Sequence, residues 1–213
     1  MEMFLTLLSG IGWCIVYEEC IRLGQKDKTY AMPFWALAMN ITWEGIYSFS
    51  ELSAGMIGLQ SIANLIWFFL DIVILYTYFK YGKKEWQQDH QGSSDNSFYV
   101  WSFLGIVAMF IVQISFIYEF GLEGHLSAQY SAFIQNLIMS IAFISMLTKR
   151  KSSQGQSLLL AVSKWIGTLA PTILMGVLST NYVVLACGLF CSVYDILYII
   201  LLNKKIKEEK ATA

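Results

Sequence analysis

Apolar residues run along this chain in blocks of about twenty, separated by short polar stretches. A helix rises about 1.5 Å per residue, so crossing the roughly 30 Å hydrocarbon core of a bilayer takes about twenty mainly apolar residues. The blocks of that length are Met3–Ile21, Ala31–Glu51, Ile57–Phe79, Phe98–Phe120, Ser127–Leu147, Leu158–Leu178 and Tyr182–Leu202. The pattern predicts an all-α protein: an integral membrane bundle of seven transmembrane helices in one domain over residues 1–213, with 203–213 as a short cytoplasmic tail. The first block has no basic residue before it and no clear cleavage site, so it is expected as a retained span rather than a signal peptide. Of the connections, only Tyr81–Ser97, "YGKKEWQQDHQGSSDNS", is long and polar enough to be a mobile loop. No internal repeat and no domain boundary is visible.

Charge orients the bundle. Arg22, Lys26 and Lys28 follow the first block, and Lys80, Lys83 and Lys84 follow the third. Lys149, Arg150 and Lys151 follow the fifth, Lys164 begins the sixth on the same side, and Lys204, Lys205, Lys207 and Lys210 follow the seventh. These are all 14 Lys and Arg residues, and the alternate loops carry none. Positive loops stay in the cytoplasm, so the amino terminus is expected outside and the carboxyl terminus inside.

Composition agrees. Of 213 residues, 56% are hydrophobic and 14% charged, against about 25% charged in a soluble domain; the mean hydropathy is +0.55. The net charge of −1 offers nothing to nucleic acid. Cys14, Cys20, Cys187 and Cys191 all lie inside apolar blocks, where they read as packing residues; metal sites need converging ligands, and no His joins them. No metal or cofactor is expected.

Against this background the acids stand out. Glu18 lies near Arg22 at i,i+4 and reads as an interfacial pair. Glu51 and Glu119, at outer ends, read as solvated. Glu44, Asp71 and Asp195 are deep, with no Lys or Arg at comparable depth to pair with them; Lys164, the nearest, is at a span end. Charge in hydrocarbon is penalised by about 2.5–3.5 kcal/mol on insertion scales, so such residues face a protein interior or cavity. A buried, unpaired carboxyl group favours its neutral, proton-carrying form. Helical spacing puts Asn40, Trp43, Glu44 and Tyr47 on one face, Asn64, Trp67 and Asp71 on another, and Tyr194, Asp195 and Tyr198 on a third; the fifth block adds Gln129, Asn136 and Ser140. Trp43 and Trp67 are mid-span, away from the interfacial aromatic belts. Aromatic faces around buried acids suit a greasy ligand and a transient cation. A site that ionises a diphosphate needs an acid-rich magnesium cluster or interior cations, and no Asp-Asp-x-x-Asp run is present. Cyclisation begun by proton transfer is the chemistry this set permits.

The segments "NITWE" (Asn40–Glu44), "WFFLD" (Trp67–Asp71), "QYSAFIQNLIMSIAFISML" (Gln129–Leu147) and "VYDILYI" (Val193–Ile199) together resemble the membrane-integral terpene cyclases of fungal and bacterial meroterpenoid and indole-diterpene biosynthesis. The resemblance covers nearly the whole chain. It implies seven helices and an isomerase- or lyase-type enzyme that protonates the epoxide or terminal alkene of a prenylated, typically farnesylated, aromatic or polar-headed substrate and closes rings through carbocations. It implies Glu44 as the general acid, Asp195 as a second catalytic acid, and Asp71 as the acid of a Trp-x-x-x-Asp motif. The substrate would contact Asn40, Trp43, Tyr47, Asn64, Trp67, Asp71, Gln129, Asn136, Tyr194 and Tyr198. A prenyltransferase, and for an epoxide an epoxidase, would act upstream. The chain is short for the family, which points to a bacterial inner-membrane member, with an epoxide and an unepoxidised alkene both open as its substrate; a eukaryotic member would sit in the endoplasmic reticulum. The alternative is a small proton-coupled transporter using the same acids. Paired repeats with broken helices would mark one, and here Pro171 is the only mid-span proline.

Overall fold

Each apolar block becomes a helix in the computed structural model of the protein, which describes residues 1–56, 58–92 and 94–212. The helices are α1 (Glu2–Lys26), α2 (Phe34–Ser53), α3 (Leu59–Asp89), α4 (Asp95–Phe120), α5 (Leu126–Arg150), α6 (Leu158–Pro171) and α7 (Tyr182–Thr212). A single 3₁₀ turn, Glu123–His125, leads into α5, and after Pro171 the last part of α6 continues as a π-helix, Thr172–Leu178. No strand occurs among the described residues. Ile57, the expected start of the third span, and Ala213, the end of the expected tail, lie outside the described residues.

Two polar stretches differ from expectation. Most of Tyr81–Ser97 is helix: α3 runs on to Asp89, and α4 begins at Asp95. Its Lys, Glu and Gln residues are good helix formers, and partners hold it. Glu85 accepts hydrogen bonds from Tyr30 Oη (3.0 Å) and Arg150 Nε (3.0 Å), and Asp89 is paired with Lys149. The tail after Asn203 continues α7 to Thr212, with Glu209 Oε1 accepting from the Ser153 amide at 2.8 Å. The interfacial pair also differs. Arg22 bonds Glu19 (2.7 Å), which sits on the buried side of α1, whereas Glu18 is exposed.

Among the described residues six helices are long and apolar enough to cross a membrane; α2 is outside that set. The reason is its position. α2 lies against α3, α4 and α5, and Asn40, Thr42, Glu44, Ser48 and Glu51 are all buried within the protein. A helix shielded by neighbours does not need an apolar surface, and its 20 residues still span about 30 Å. The outer faces show the reverse pattern. Phe69, Ile72 and Tyr76 on α3, Phe103, Phe110 and Ile111 on α4, and Leu189, Phe190, Val193 and Ile200 on α7 are exposed. Apolar surface on that scale marks a lipid-facing wall.

On the other side, α1 packs against α6 and α3, and α7 closes the bundle against α5 and α6. The α1–α6 contact is backbone on backbone: a Cβ added at Gly12 would lie 3.0 Å from the Gly167 Cα. Small residues allow such close approach where lipid gives helices no hydrophobic reason to associate. Trp13 packs at this contact, beside Gly167, one turn before Tyr17.

Candidate active site

Between α1, α2, α3, α5 and α6 lies a cavity of about 530 Å³. Its walls are largely apolar and aromatic, with Trp13, Trp43, Trp67, Phe133, Leu174 and Met175 among them. It is flanked by the helix ends that carry no Lys or Arg: Leu5 and Thr6 of α1, Glu51 of α2, Gln60 and Ser61 of α3, and His125 before α5.

In its wall, and 2% exposed, is Glu44. The Tyr17 hydroxyl donates to Glu44 Oε1 and itself accepts from Asn40 Nδ2. Asn40 Nδ2 also lies 3.3 Å from Glu44 Oε1 and 3.1 Å from Asp71 Oδ2. One amide nitrogen with two protons thus serves three oxygens, so its donors are shared. A chain of amides fixes which way Asn40 faces. Gln113 Nε2 on α4 donates to Gln135 Oε1 (3.1 Å), and Gln135 Nε2 on α5 donates to Asn40 Oδ1 (3.2 Å). With its oxygen so engaged, Asn40 turns its N–H groups to the two acids. Tyr17 is held by its ring as well, stacked on Trp67 with centroids 6.0 Å apart and tilted towards Trp13 at 6.3 Å.

Glu44 Oε2 and Asp71 Oδ1 are buried without a hydrogen-bond partner among the described residues. A buried oxygen left unsatisfied costs about 1–3 kcal/mol. Two carboxyl groups thus share one amide donor, and no cation is bonded to either among the described residues.

The other expected site residues fall into two sets. Asn40, Trp43, Glu44, Asn64, Trp67, Gln129 and Asn136 line the cavity. Trp43 Nε1 donates to Ser131 Oγ at 2.9 Å, Asn64 Oδ1 accepts from Gln60 Nε2 at 2.7 Å, and Gln129 Oε1 accepts from Asn181 Nδ2 at 3.4 Å. Asp71 stands one side chain behind the wall, through Asn40, and Tyr47 packs its ring on Trp43 at 5.0 Å and accepts from Ser131 Oγ at 3.3 Å. Asp195, Tyr194 and Tyr198 do not line the cavity. Tyr198 donates to Gln156 Oε1 at 2.9 Å, and Tyr194 is half-buried on α7.

Asp195 corrects one expectation, that no cation reaches the deep acids. Lys164 Nζ donates to both of its carboxylate oxygens, at 2.8 and 2.9 Å, and to Ser140 Oγ at 2.7 Å. Lys164 is 0% and Asp195 1% exposed. Lys164 stands in the second turn of α6, and its side chain is long enough to reach α7 from there. A second correction concerns Glu51. It is 5% exposed rather than solvated, accepts from Ser61 Oγ at 2.6 Å, and has Oε1 3.7 Å from His125 Nδ1. The four cysteines are free; Cys20 and Cys191 are buried, whereas Cys14, expected as a packing residue, is exposed.

The Pyr4-like transmembrane terpene cyclase family model matches residues 1–205. The chain belongs to that family. Among curated relatives, the Pyr4-family terpene cyclase mfmH of Annulohypoxylon moriforme is 27% identical over 165 residues, covering 77% of this chain and 65% of that protein. Asnovolin H synthase nvfL of Aspergillus novofumigatus is 29% identical, with 77% and 65% covered. Terpene cyclase pyr4 of Aspergillus fumigatus is 27% identical over 214 residues, with 95% and 86% covered. The chain thus spans about 65% of the length of the first two. No solved structure matches.

Sequence reasoning missed Trp13 and Tyr17, which share a face of α1 and line the cavity, and Gln113 and Gln135, mid-span amides of the kind that mark polar contacts between membrane helices. It also missed Glu51, Ser61 and His125 as a group, because they come from three separate segments and meet only in space.

Proposed function

We propose that this protein is a membrane-bound, metal-independent terpene cyclase in which Glu44 is the general acid. Seven spans are proposed, α2 among them as the shielded one, with the amino terminus outside and the carboxyl terminus cytoplasmic. The host membrane is the bacterial inner membrane, or the endoplasmic reticulum in a eukaryote. The substrate is a prenylated, farnesyl-length molecule with an aromatic or polar head, delivered by a prenyltransferase and, for an epoxide, an epoxidase.

The observation that carries this reading is an acid cluster, Tyr17–Glu44–Asn40–Asp71, in the wall of a tryptophan-rich cavity of about 530 Å³. Ligand pockets usually measure about 300–1,000 Å³, and this one is of that size. Glu44 gives its proton to the epoxide oxygen. The C–O bond to the more substituted carbon breaks, leaving a hydroxyl group and a tertiary cation. For an unepoxidised chain the proton goes instead to the terminal alkene carbon. The π electrons of the next double bond then form a C–C bond, and the cation moves along the chain. Loss of a proton from the carbon beside the last cation gives an alkene, so the product is an isomer of the substrate, and that proton restores the acid. Tyr17 and Asn40 steady the Glu44 carboxylate left after transfer. The faces of Trp13, Trp43 and Trp67 stabilise the cations, each by about 2 kcal/mol where desolvated.

Asp195 takes a different part in this reading. Held by Lys164 outside the cavity wall, it positions α5, α6 and α7 around the cavity rather than touching the cation. Asp71 supports Glu44 through Asn40.

The test is product analysis with purified protein and a farnesylated phenol and its terminal epoxide. The wild type should give a product of unchanged mass with rings in place of double bonds. General acid catalysis contributes typically ~10²–10⁴-fold, so folded Glu44→Gln should lose nearly all turnover. Wild-type yield from Glu44→Gln would remove the acid from the mechanism and favour the transporter.

A further inference from the structure

We propose that Glu51, Ser61 and His125 form a head-group subsite at the end of the cavity away from Glu44, which selects substrates whose head carries a free hydroxyl. This deepens the cyclase reading and rests on it. The three residues come from the end of α2, the start of α3 and the turn before α5, and all three border the cavity. Ser61 Oγ donates to Glu51 Oε2 at 2.6 Å and fixes the carboxylate. The other oxygen, Oε1, is 3.7 Å from His125 Nδ1, beyond hydrogen-bonding distance, so it keeps its capacity to accept.

The backbone supports a placed histidine. His125 has φ 60° and ψ 13°, in the left-handed region where His, like Asn and Asp, is enriched among residues other than Gly, and it follows Gly124 at φ 76°. The half-exposed imidazole borders the cavity's end, beside Glu51.

Glu44 and Glu51 lie seven residues apart on α2, about 10 Å along the helix, within reach of a folded prenyl chain. The walls carry tryptophan and aliphatic side chains together with the amides of Asn64, Gln129 and Asn136. With Glu44 as the acid at the tail tip, the head of a prenylated molecule lies at Glu51. The Glu51 carboxylate accepts a hydrogen bond, and the ligand that completes it is a donor: a phenol or alcohol hydroxyl rather than an ether, a carboxylate or a phosphate.

Binding of inert analogues tests this separately from turnover. A phenol carrying a saturated, farnesyl-length chain is compared with its methyl ether, and binding is read by quenching of the cavity tryptophans. The wild type should hold the phenol about 10–100-fold more tightly than the ether, the range for a hydrogen bond to a charged group. Glu51→Gln should reduce that preference to a few-fold, and Ser61→Ala, which frees the carboxylate to turn away, should reduce it partly. Equal binding of phenol and ether by the wild type, or a preference that survives both substitutions, overturns the subsite. If the preference holds in binding while Glu44→Gln still cyclises, the subsite stands and the proposed mechanism falls. If neither analogue binds, both fall.

Discussion

Lys164 and Asp195 give the sharpest test of whether a buried acid in this bundle does chemistry or holds helices in place. Lys164→Met removes the three hydrogen bonds of the ammonium group and leaves the Asp195 carboxylate, 1% exposed, without a cation. Breaking one side of a buried pair costs about 3–5 kcal/mol, because the orphaned charge stays desolvated. For chains of this size about 1 kcal/mol moves the melting temperature by roughly 2–4 °C, so the single variant should melt roughly 6–20 °C lower. Asp195→Leu, which orphans the ammonium instead, should lose a comparable amount. Replacing both charges by apolar residues of similar volume is often neutral or stabilising, so Lys164→Met with Asp195→Leu should regain most of the loss. The assay is thermal unfolding of the four proteins in one detergent, with turnover of the same samples. If the losses add, so that the double variant is the least stable, the pair does not hold the bundle as argued. Turnover should follow stability, recovering in the double variant. A stable double variant that remains dead would show that Asp195 acts in the chemistry.

Asp71→Asn keeps a group that Asn40 can bond and removes the second acid from the cluster; turnover should fall but remain measurable, and complete loss in a folded protein would make Asp71 the acid. Because the ring closure is begun by a proton, activity should survive excess chelator, and loss in EDTA restored by magnesium would overturn the protonation mechanism. The basic helix ends should face the cytoplasm, so an enzyme reporter joined after Ala213 should work only as a cytoplasmic fusion, and a signal confined to the far side would refute the orientation.

What the sequence made legible follows from the solvent it implies. In lipid the backbone must satisfy itself, so apolar blocks of sufficient length become helices and polarity inside them becomes conspicuous. That is why Asn40, Trp43, Glu44, Asn64 and Trp67, read from three-and-four spacing, all border the cavity. The same reasoning misjudged residues whose side chains reach away from where their backbones lie. Lys164 counted as a span-end cation, yet its four-carbon stem carries the ammonium group to α7. Glu51 counted as solvated at a helix end, but Ser61 and His125 fold over that end. The stretch at Tyr81–Ser97 read as a loop because its polarity was weighed and its helix propensity was not; Glu85 there accepts from Tyr30 and Arg150 across three elements.

The sheltered position of α2 ties these observations together. A helix facing lipid has little room for Asn40, Thr42, Glu44, Ser48 and Glu51 in about three turns, since each polar group would lie in hydrocarbon. Wrapped by α3, α4 and α5, α2 can carry them, and it then presents two acids seven residues apart, one deep in the cavity wall and one at its far end. The rest of the bundle completes each acid from a different helix: Tyr17 from α1 and the Gln113–Gln135 relay from α4 and α5 for the deep one, Ser61 from α3 and His125 from the turn before α5 for the other. The polar helix that falls short of a membrane-crossing composition is thus one that α3, α4 and α5 shield. Exchanging its polar residues for leucine would bring it closer to the composition of a membrane span while removing both ends of the site.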